Sequence, residues 1–180
     1  MRKKAIAVTL CLFLVACTTD QILADIQVLI QIATAILPVV TNLDHLDSAE
    51  QAEITKLSSI AVNGIAAIAT DYQAYKKSGA ITDLQKLQAA IGAIQWNLKQ
   101  ELAAAQIKDP VTIAKVTAWV NLIVTTLDAI RAQLPSLQFR PLTSTIMLPT
   151  PAVLKARWDS EVCNGEATCS ARVKTPRGKF

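Results

Sequence analysis

Apolar residues recur at steps of three and four along most of the first 134 residues, and this spacing is the period of an amphipathic α-helix. The pattern predicts four helices, over residues 19–42, 48–78, 82–108 and 110–134. Their apolar stripes supply the candidate core, which includes Ile22, Ile26, Leu29, Ile36, Ile54, Leu57, Ile65, Ile68, Leu84, Leu87, Ile91, Ile94, Val116, Val120, Ile123 and Leu127.

The second predicted helix has a start signal and a stop signal at its ends. Asp47 and Glu50 have the spacing of a capping box, in which two side chains satisfy free amides of the first turn; Ser48 with Gln51 offers the same spacing one residue later. Gly79 follows a pair of lysines and is suited to the left-handed residue that ends many helices.

The third and fourth predicted helices are delimited in the same way. The third starts at Thr82, whose capping partner is Gln85, and stops near residue 108. Asp109 is then the expected N-cap of the fourth helix, with Pro110 at the first helical position, where a missing amide costs nothing. Pro135 ends that helix.

Short connections between the helices favour antiparallel neighbours, so the predicted fold is all-α, an antiparallel up-down-up-down four-helix bundle. Gly64 and Gly92 lie in the middle of helices, which indicates close approach between helices. Alanine richness leaves a large internal cavity as the alternative to tight packing. Membrane insertion of the helices is a further alternative, but polar residues such as Asp25 interrupt each candidate span.

The chain changes character after residue 134. Five prolines exclude a long helix, apart from a possible helical turn over residues 152–158, and several apolar residues predict a C-terminal tail that lies extended along the bundle. Cys163 and Cys169 flank turn residues, and we expect them to form a disulfide that closes a small hairpin and stabilises it by roughly 2 kcal/mol. A redox-active or metal-binding pair is the alternative, although the spacing is not C-x-x-C and no histidine is near.

The first seventeen residues have the three regions of a secretory signal. Arg2, Lys3 and Lys4 are followed by an uncharged apolar run over residues 5–16, which is too short to cross about 30 Å of hydrocarbon. The run ends in Leu14-Val15-Ala16-Cys17, which resembles the lipobox of bacterial lipoproteins. The resemblance implies cleavage before Cys17, diacylation of its thiol, and acyl chains such as palmitate that anchor the chain in a membrane.

The same resemblance sets the expected domain organisation: residues 1–16 are the lipoprotein signal peptide, 17–134 the bundle, and 135–180 the basic tail with the Cys163/Cys169 loop. Thr18, in place of an aspartate, resembles the pattern of lipoproteins sent to the outer membrane, here facing the periplasm. Cys11 would be discarded with the signal. An ordinary signal peptide cut elsewhere and an uncleaved anchor are the alternatives.

Removing the signal changes the charge argument. The whole chain has 18 basic and 14 acidic residues, but three basic residues belong to the signal, so the remainder is nearly neutral and nucleic acid is not an expected partner. Residues 17–134 are acidic, whereas residues 135–180 carry seven basic and three acidic residues.

The chemistry expected of this chain is noncatalytic, with no cofactor and no metal. His45 is the only histidine, and Asp44, His45 and Asp47 could hold a metal weakly, yet Asp47 is better explained as a helix cap. No phosphate-binding glycine loop or nucleophile elbow occurs. Carboxylate pairs for glycoside chemistry stay open, since residues distant in sequence meet in space.

Two functions remain from the sequence. The first is a membrane-tethered, noncatalytic structural or adaptor component of the cell envelope; the second is a binding module that holds an apolar ligand inside a helical bundle. Because an even number of antiparallel helices returns the chain to its starting end, the basic tail should lie near the lipid anchor. We therefore hypothesise that anionic lipid or an envelope protein is contacted by Lys155, Arg157, Arg172, Lys174, Arg177 and Lys179.

Overall fold

The computed structural model describes residues 2–40, 46–135 and 147–175, with side chains from residue 21 onward. These residues are helical and include no strand, so the all-α prediction is confirmed. The helices are α1 (Arg2–Val40), α2 (Ser48–Ser78), α3 (Ile81–Ala104), α4 (Pro110–Gln133), α5 (Pro151–Arg157), a π-helical turn (Trp158–Val162) and α6 (Ala167–Ser170).

Helix α1 combines the predicted signal segment and the first predicted helix in one continuous run. It starts at Arg2 and passes through Pro38 to end at Val40. Proline has no amide to donate to the preceding turn, yet the helix continues for two residues beyond it. Asn42, the predicted end, lies outside the described residues.

The caps of α2 confirm the predicted signals. The Oδ1 atom of Asp47 accepts hydrogen bonds from the amides of Ala49 and Glu50, both at 2.9 Å, and Glu50 Oε2 accepts from the Asp47 amide at 3.0 Å. Gly79 has a positive φ of 63° and donates its amide to the Tyr75 carbonyl at 2.8 Å. This left-handed conformation is the reason that glycine ends the helix.

The predicted bounds of α3 are wrong at both ends. The helix starts at Ile81, with Ala80 at the N-cap, while the hydroxyl of Ser78 accepts a hydrogen bond from the Ala80 amide and donates one to Asp83. It ends at Ala104, four residues early, because the Lys108 amide donates to Glu50 Oε1 at 2.7 Å instead of to its own helix.

Helix α4 begins as predicted. Pro110 stands at its first position, and the Oδ2 atom of Asp109 accepts from the Thr112 amide at 2.7 Å. The helix ends at Gln133, with Leu134 at the C-cap, directly before Pro135.

Helix α1 contacts α2, α4 and α5, α4 contacts α1, α3 and the π-helical turn, and α3 contacts α2 and α4. Three buried side chains donate hydrogen bonds to backbone carbonyls of a neighbouring long helix. Ser58 Oγ donates to the Ala33 carbonyl at 3.1 Å, Trp119 Nε1 to the Ile32 carbonyl at 2.9 Å, and Gln95 Nε2 to the Val124 carbonyl at 3.1 Å. All three donor residues are buried.

Within the part of the chain that the structure describes, two helical stretches are long and apolar enough to cross a membrane by length and composition, Gln21–Val40 and Pro110–Gln133. However, 61% of the first stretch's most apolar window and 56% of the second's are buried inside the protein. Burial of this extent is what core helices show, so the hydropathy of both stretches follows from their place in the core.

The predicted extended tail with a terminal hairpin is wrong for residues 151–170, which are mostly helical. Thr150 caps α5 by accepting the Val153 amide, and Pro151 stands at its first position. Two positive φ values, at Asn164 and Gly165, then form a turn before α6. The predicted Cys163–Cys169 disulfide is confirmed, but it links helical turns instead of strands.

The two mid-helix glycines differ in their surroundings, and this difference predicts opposite effects of alanine. A methyl group at Gly64 would overlap Cγ1 and Cδ1 of Ile94, whereas one at Gly92 would meet no atom within 4 Å. We expect Gly64→Ala to lower the free energy of unfolding by about 1–3 kcal/mol and Gly92→Ala to raise it by up to about 1 kcal/mol, as measured by urea denaturation.

Ile94→Ala provides the control for this pair, since it removes the atoms that a methyl at Gly64 would meet. In that background Gly64→Ala should cost little. Equal stabilisation by Gly64→Ala and Gly92→Ala in the parent chain would contradict close packing of α2 on α3.

Candidate functional site

The predicted lipid-attachment residue and the folded core are close together in the chain. Cys17 lies in α1, although its side chain is outside the described residues. The first buried core residue is Ile22, at 4% exposure, and Gln21 before it is already in contact with the C-terminal segment. Five residues of helix span about 8 Å, so an acyl chain on Cys17 would hold the core close to the membrane.

We call residues 147–175 the clasp, because they cover α1 and α4 together. Six of its side chains are buried in the same core cluster as those of the long helices. Trp158 is fully buried, and its Nε1 donates to the Cys169 carbonyl at 3.4 Å, across the loop that the disulfide closes. The buried clasp residues are Leu154, Trp158, Val162, Cys163, Cys169 and Val173.

Polar contacts join the clasp to α1 at two points. Gln21 Nε2 donates to the Leu148 carbonyl at 3.4 Å, and the Lys174 amide donates to Gln31 Oε1 at 2.8 Å. Gln31 lies ten positions after Gln21 in the helix, which corresponds to about 15 Å along α1. The clasp therefore starts near the predicted anchor, as the sequence led us to expect, but reaches a point farther along α1.

Two further contacts join the clasp to α4. Arg157 Nη1 donates to Thr125 Oγ1 at 3.1 Å, and Lys115 forms an ion pair with Glu166 at 3.7 Å. The hydrogen bond from Thr168 lowers the pKa of the exposed Glu166 carboxyl, and the charge of Lys115 lowers it further. The two ends of the clasp are thus fixed to α1, and its middle is fixed to α4.

Two of the six cations predicted to contact lipid or a partner are engaged within the clasp. Lys155 Nζ donates to Oδ1 and Oδ2 of Asp159 at 2.6 and 2.5 Å and to Ser170 Oγ at 2.9 Å. Arg157 donates Nε and Nη2 to the two carboxylate oxygens of Glu161. Because an ammonium has three N–H donors, Lys155 has none left for an external anion.

The remaining four cations have different placements. Arg172 and Lys174 are exposed, and Arg172 is close enough to Glu166 to lower the pKa of that carboxyl slightly. Arg177 and Lys179 lie outside the described residues. A surface hollow of about 630 Å³ lies beside Lys174. It is lined by Lys155, Ser170, Ala171, Val173, Lys174 and Thr175.

Asp25 is a residue whose position the sequence analysis used only as an interruption of a membrane span. Its side chain is fully buried in α1, and neither carboxylate oxygen has a hydrogen-bond partner among the residues that the structure describes. Burial raises the pKa of Asp25 from its ordinary 3.8 to about 7. The available signal was its spacing, three residues after Ile22 and four before Leu29, which places a carboxyl on the core face.

The residues weighed as metal ligands are not brought together among the described residues. No group of three His, Cys, Asp or Glu side chains that could hold a metal occurs in that part of the chain. Asp47, one of the three residues weighed as metal ligands, serves as the α2 cap, and Asp44 and His45 lie outside the described residues. Cys163 and Cys169 are bonded to each other.

Comparisons with protein-family models, with curated proteins and with solved structures found no match to this chain.

Proposed function

We propose that this chain is a lipoprotein of the bacterial cell envelope, held by acyl chains on Cys17 at the periplasmic face of the outer membrane, and that its helical body is a noncatalytic structural or adaptor component. The observation that carries the proposal is Leu14-Val15-Ala16-Cys17, which follows a basic start and ends a run of twelve uncharged apolar residues over 5–16. Each methylene of an acyl chain buried in lipid contributes about 0.8 kcal/mol, so two or three chains give a lasting anchor.

The arrangement of the helices that best fits this role is an antiparallel up-down-up-down bundle. Lys56, early in α2, pairs with Glu101, late in α3, at 2.6 Å. Gln88, early in α3, donates to the carbonyl of Pro135, just after α4, at 3.1 Å. Contacts between the start of one helix and the end of the next support antiparallel neighbours.

Packing favours the structural role over the alternative of a module that holds an apolar ligand. The core contains two fully buried tryptophans, Trp119 and Trp158, and α2 approaches α3 so closely at Gly64 that a methyl group has no room. A ligand-binding bundle needs an apolar volume between its helices, and side chains fill the space at these points.

The role also gains support from where the anchor joins the body. Helix α1 contacts α2, α4 and α5, so a pull on Cys17 would act on a helix that packs against three others. An adaptor that transmits or resists force at a membrane needs this kind of attachment. Under such a pull, a terminal helix packed on one side only would detach from the other helices first.

Metabolic labelling with an alkyne analogue of palmitate tests the proposal. In a bacterium that processes lipoproteins, we expect the full chain to take up label and to fractionate with the outer membrane. Cys17→Ser should abolish labelling and retard removal of the signal, whereas the matched control Cys11→Ser should leave both unchanged. Labelling that persists in the Cys17→Ser chain, or none in the parent chain, would overturn the lipoprotein assignment.

We further propose that anionic lipid or an acidic envelope protein is contacted by basic residues of the C-terminal segment. The engaged Lys155 and Arg157 are the weaker candidates, which leaves Arg172 and Lys174 with Arg177 and Lys179. Gln31, which holds the Lys174 amide, lies about 21 Å along α1 from Cys17. Since the Debye length is about 8 Å at physiological salt, headgroup contact requires α1 to lie along the membrane.

Vesicle binding by the Cys17→Ser chain tests this contact. We expect binding to vesicles of anionic phospholipid at low salt to fall about tenfold when Arg172, Lys174, Arg177 and Lys179 are changed to glutamine, since each cation contributes about 1 kcal/mol or less near such a surface. The same number of glutamines at Lys76, Lys77, Lys86 and Lys99 is the control. An equal loss in both variants would assign the effect to net charge alone.

A further inference from the structure

We infer that the clasp is a redox-controlled strap, whose closure over α1 and α4 depends on the Cys163–Cys169 disulfide. The loop between the two cysteines contains the turn at Asn164 and Gly165 and the short helix α6. A four-residue helix is far below the length at which helices persist on their own. The disulfide therefore supplies the constraint that the local sequence does not.

The inference stands on how the disulfide is connected to the rest of the clasp. Cys163 directly follows the π-helical turn, and its amide donates to the Trp158 carbonyl at 3.0 Å. The Cys169 carbonyl accepts from Trp158 Nε1. The bond thus joins both sides of Trp158, the largest apolar side chain that the clasp inserts into the core.

Loss of the disulfide should open the clasp without unfolding the four long helices. The contacts of the clasp to the body are few: the two to α1, the two to α4 and the six buried side chains named above. Helices α2 and α3 contact each other and do not depend on the clasp for their caps, which Asp47 and Ser78 supply. A segment with these properties is a candidate for a local opening unit.

The redox step is a thiol–disulfide exchange. A dithiol attacks one sulfur of the Cys163–Cys169 bond to give a mixed disulfide and one protein thiolate, and its second thiol then displaces the other cysteine. The protein gains two electrons and two protons as two thiols, and the dithiol becomes a disulfide. Cys163 and Cys169 are only 1% and 2% exposed, so this attack has to wait until the clasp opens.

The strap implies that the clasp closes only after the chain has left the cytosol. This step rests on the export proposed above. The two cysteines stay reduced where cytosolic thiols prevail and pair in an oxidising envelope compartment. The clasp would therefore stay open in the chain before export and close over α1 afterwards. Closure completes the burial of the helix that carries the anchor.

Hydrogen exchange of the full chain in detergent, with Cys11→Ser and Cys17→Ser in every sample, tests the strap. When a dithiol reduces the one remaining disulfide, amide exchange at Leu154, Cys163 and Ser170 should rise about 30-fold, the factor expected for loss of a seven-residue loop constraint. Exchange within α2 and α3 should change less than twofold.

Two controls separate the outcomes. Cys163→Ser with Cys169→Ser should show the faster clasp exchange without dithiol, and dithiol should not change it. Unchanged clasp exchange on reduction of the parent chain would overturn the strap, as would an equal rise in α2 and α3, which would show that the whole fold opens together. Because these chains lack Cys17, the result is independent of whether that cysteine is acylated.

Discussion

Asp25→Leu is expected to raise the free energy of unfolding at pH 8 by several kcal/mol and to have a much smaller effect at pH 4. The Asp25 carboxyl is fully buried without a hydrogen-bond partner in the described part of the chain, and burial raises its pKa from 3.8 to about 7. The folded protein therefore holds this proton more tightly than the unfolded chain does. The resulting stability is fully present below pH 3.8 and is lost as the pH rises through about 7.

The size of this pH effect follows from the shift in the pKa of Asp25. Each pKa unit corresponds to 1.36 kcal/mol, so the parent chain should lose up to about 4 kcal/mol between pH 4 and pH 8. That is a large part of the roughly 5–15 kcal/mol that stabilises a domain. Urea denaturation at one-unit pH intervals measures the loss, and the curve for Asp25→Leu should be flat over the same range.

Two variants show whether the titration belongs to Asp25. Asp25→Asn should flatten the pH dependence but stabilise less than leucine, because a buried amide still lacks partners. Gln27→Leu adds an apolar side chain at an exposed position of α1 and should be nearly neutral at every pH. A parent chain of constant stability from pH 4 to pH 8 would mean that water or a cation reaches Asp25.

Sequence patterns predicted those parts of the fold that depend on residues close together in the chain. The capping box of Asp47 and Glu50, the left-handed Gly79 and the Asp109-Pro110 start depend on residues within one turn, so their patterns are visible without knowledge of the tertiary structure. The Cys163–Cys169 pair is equally local, since its two cysteines are six positions apart in the sequence.

Only a possible helical turn over residues 152–158 was predicted for the clasp, although the start signal of α5 was present. Thr150 and Pro151 occupy the same cap and first-turn positions as Asp109 and Pro110 in α4. The other prolines of the tail outweighed this signal because proline inside a helix breaks it, whereas proline at the first position favours it. Pairs of opposite charge four residues apart, Lys155 with Asp159 and Arg157 with Glu161, then support the helical turns.

The candidate site was less predictable because it depends on contacts distant in sequence. Periodicity placed Asp25 on the apolar face of α1, but whether that face is partly or wholly enclosed depends on how many neighbours the helix has. Contact with α5, in addition to α2 and α4, leaves α1 little open surface. The hydrogen bond from Lys155 to Ser170 likewise forms only in the folded clasp. Counting basic residues in the tail therefore overestimated how many of them are available to bind an external anion.

Trp119→Ala is expected to lower the free energy of unfolding by about 3–5 kcal/mol, the cost of emptying a large site in a packed core. Trp119 is fully buried in α4, and its Nε1 donates to the Ile32 carbonyl of α1 at 2.9 Å. Its loss removes apolar contacts and the hydrogen bond that joins the two helices. Trp119→Phe keeps most of the apolar contacts and should cost less than half as much.

Trp96→Ala is the matched control, since Trp96 is 64% exposed on α3 and its replacement should change stability by less than about 0.5 kcal/mol. Circular dichroism during urea denaturation gives both values. If α1 is held to the body mainly through α4, Trp119→Ala should also speed exchange of the amides of α1 more than those of α3. Equal costs for the two alanine variants, or faster exchange confined to α3, would contradict a core centred on the contact between α1 and α4.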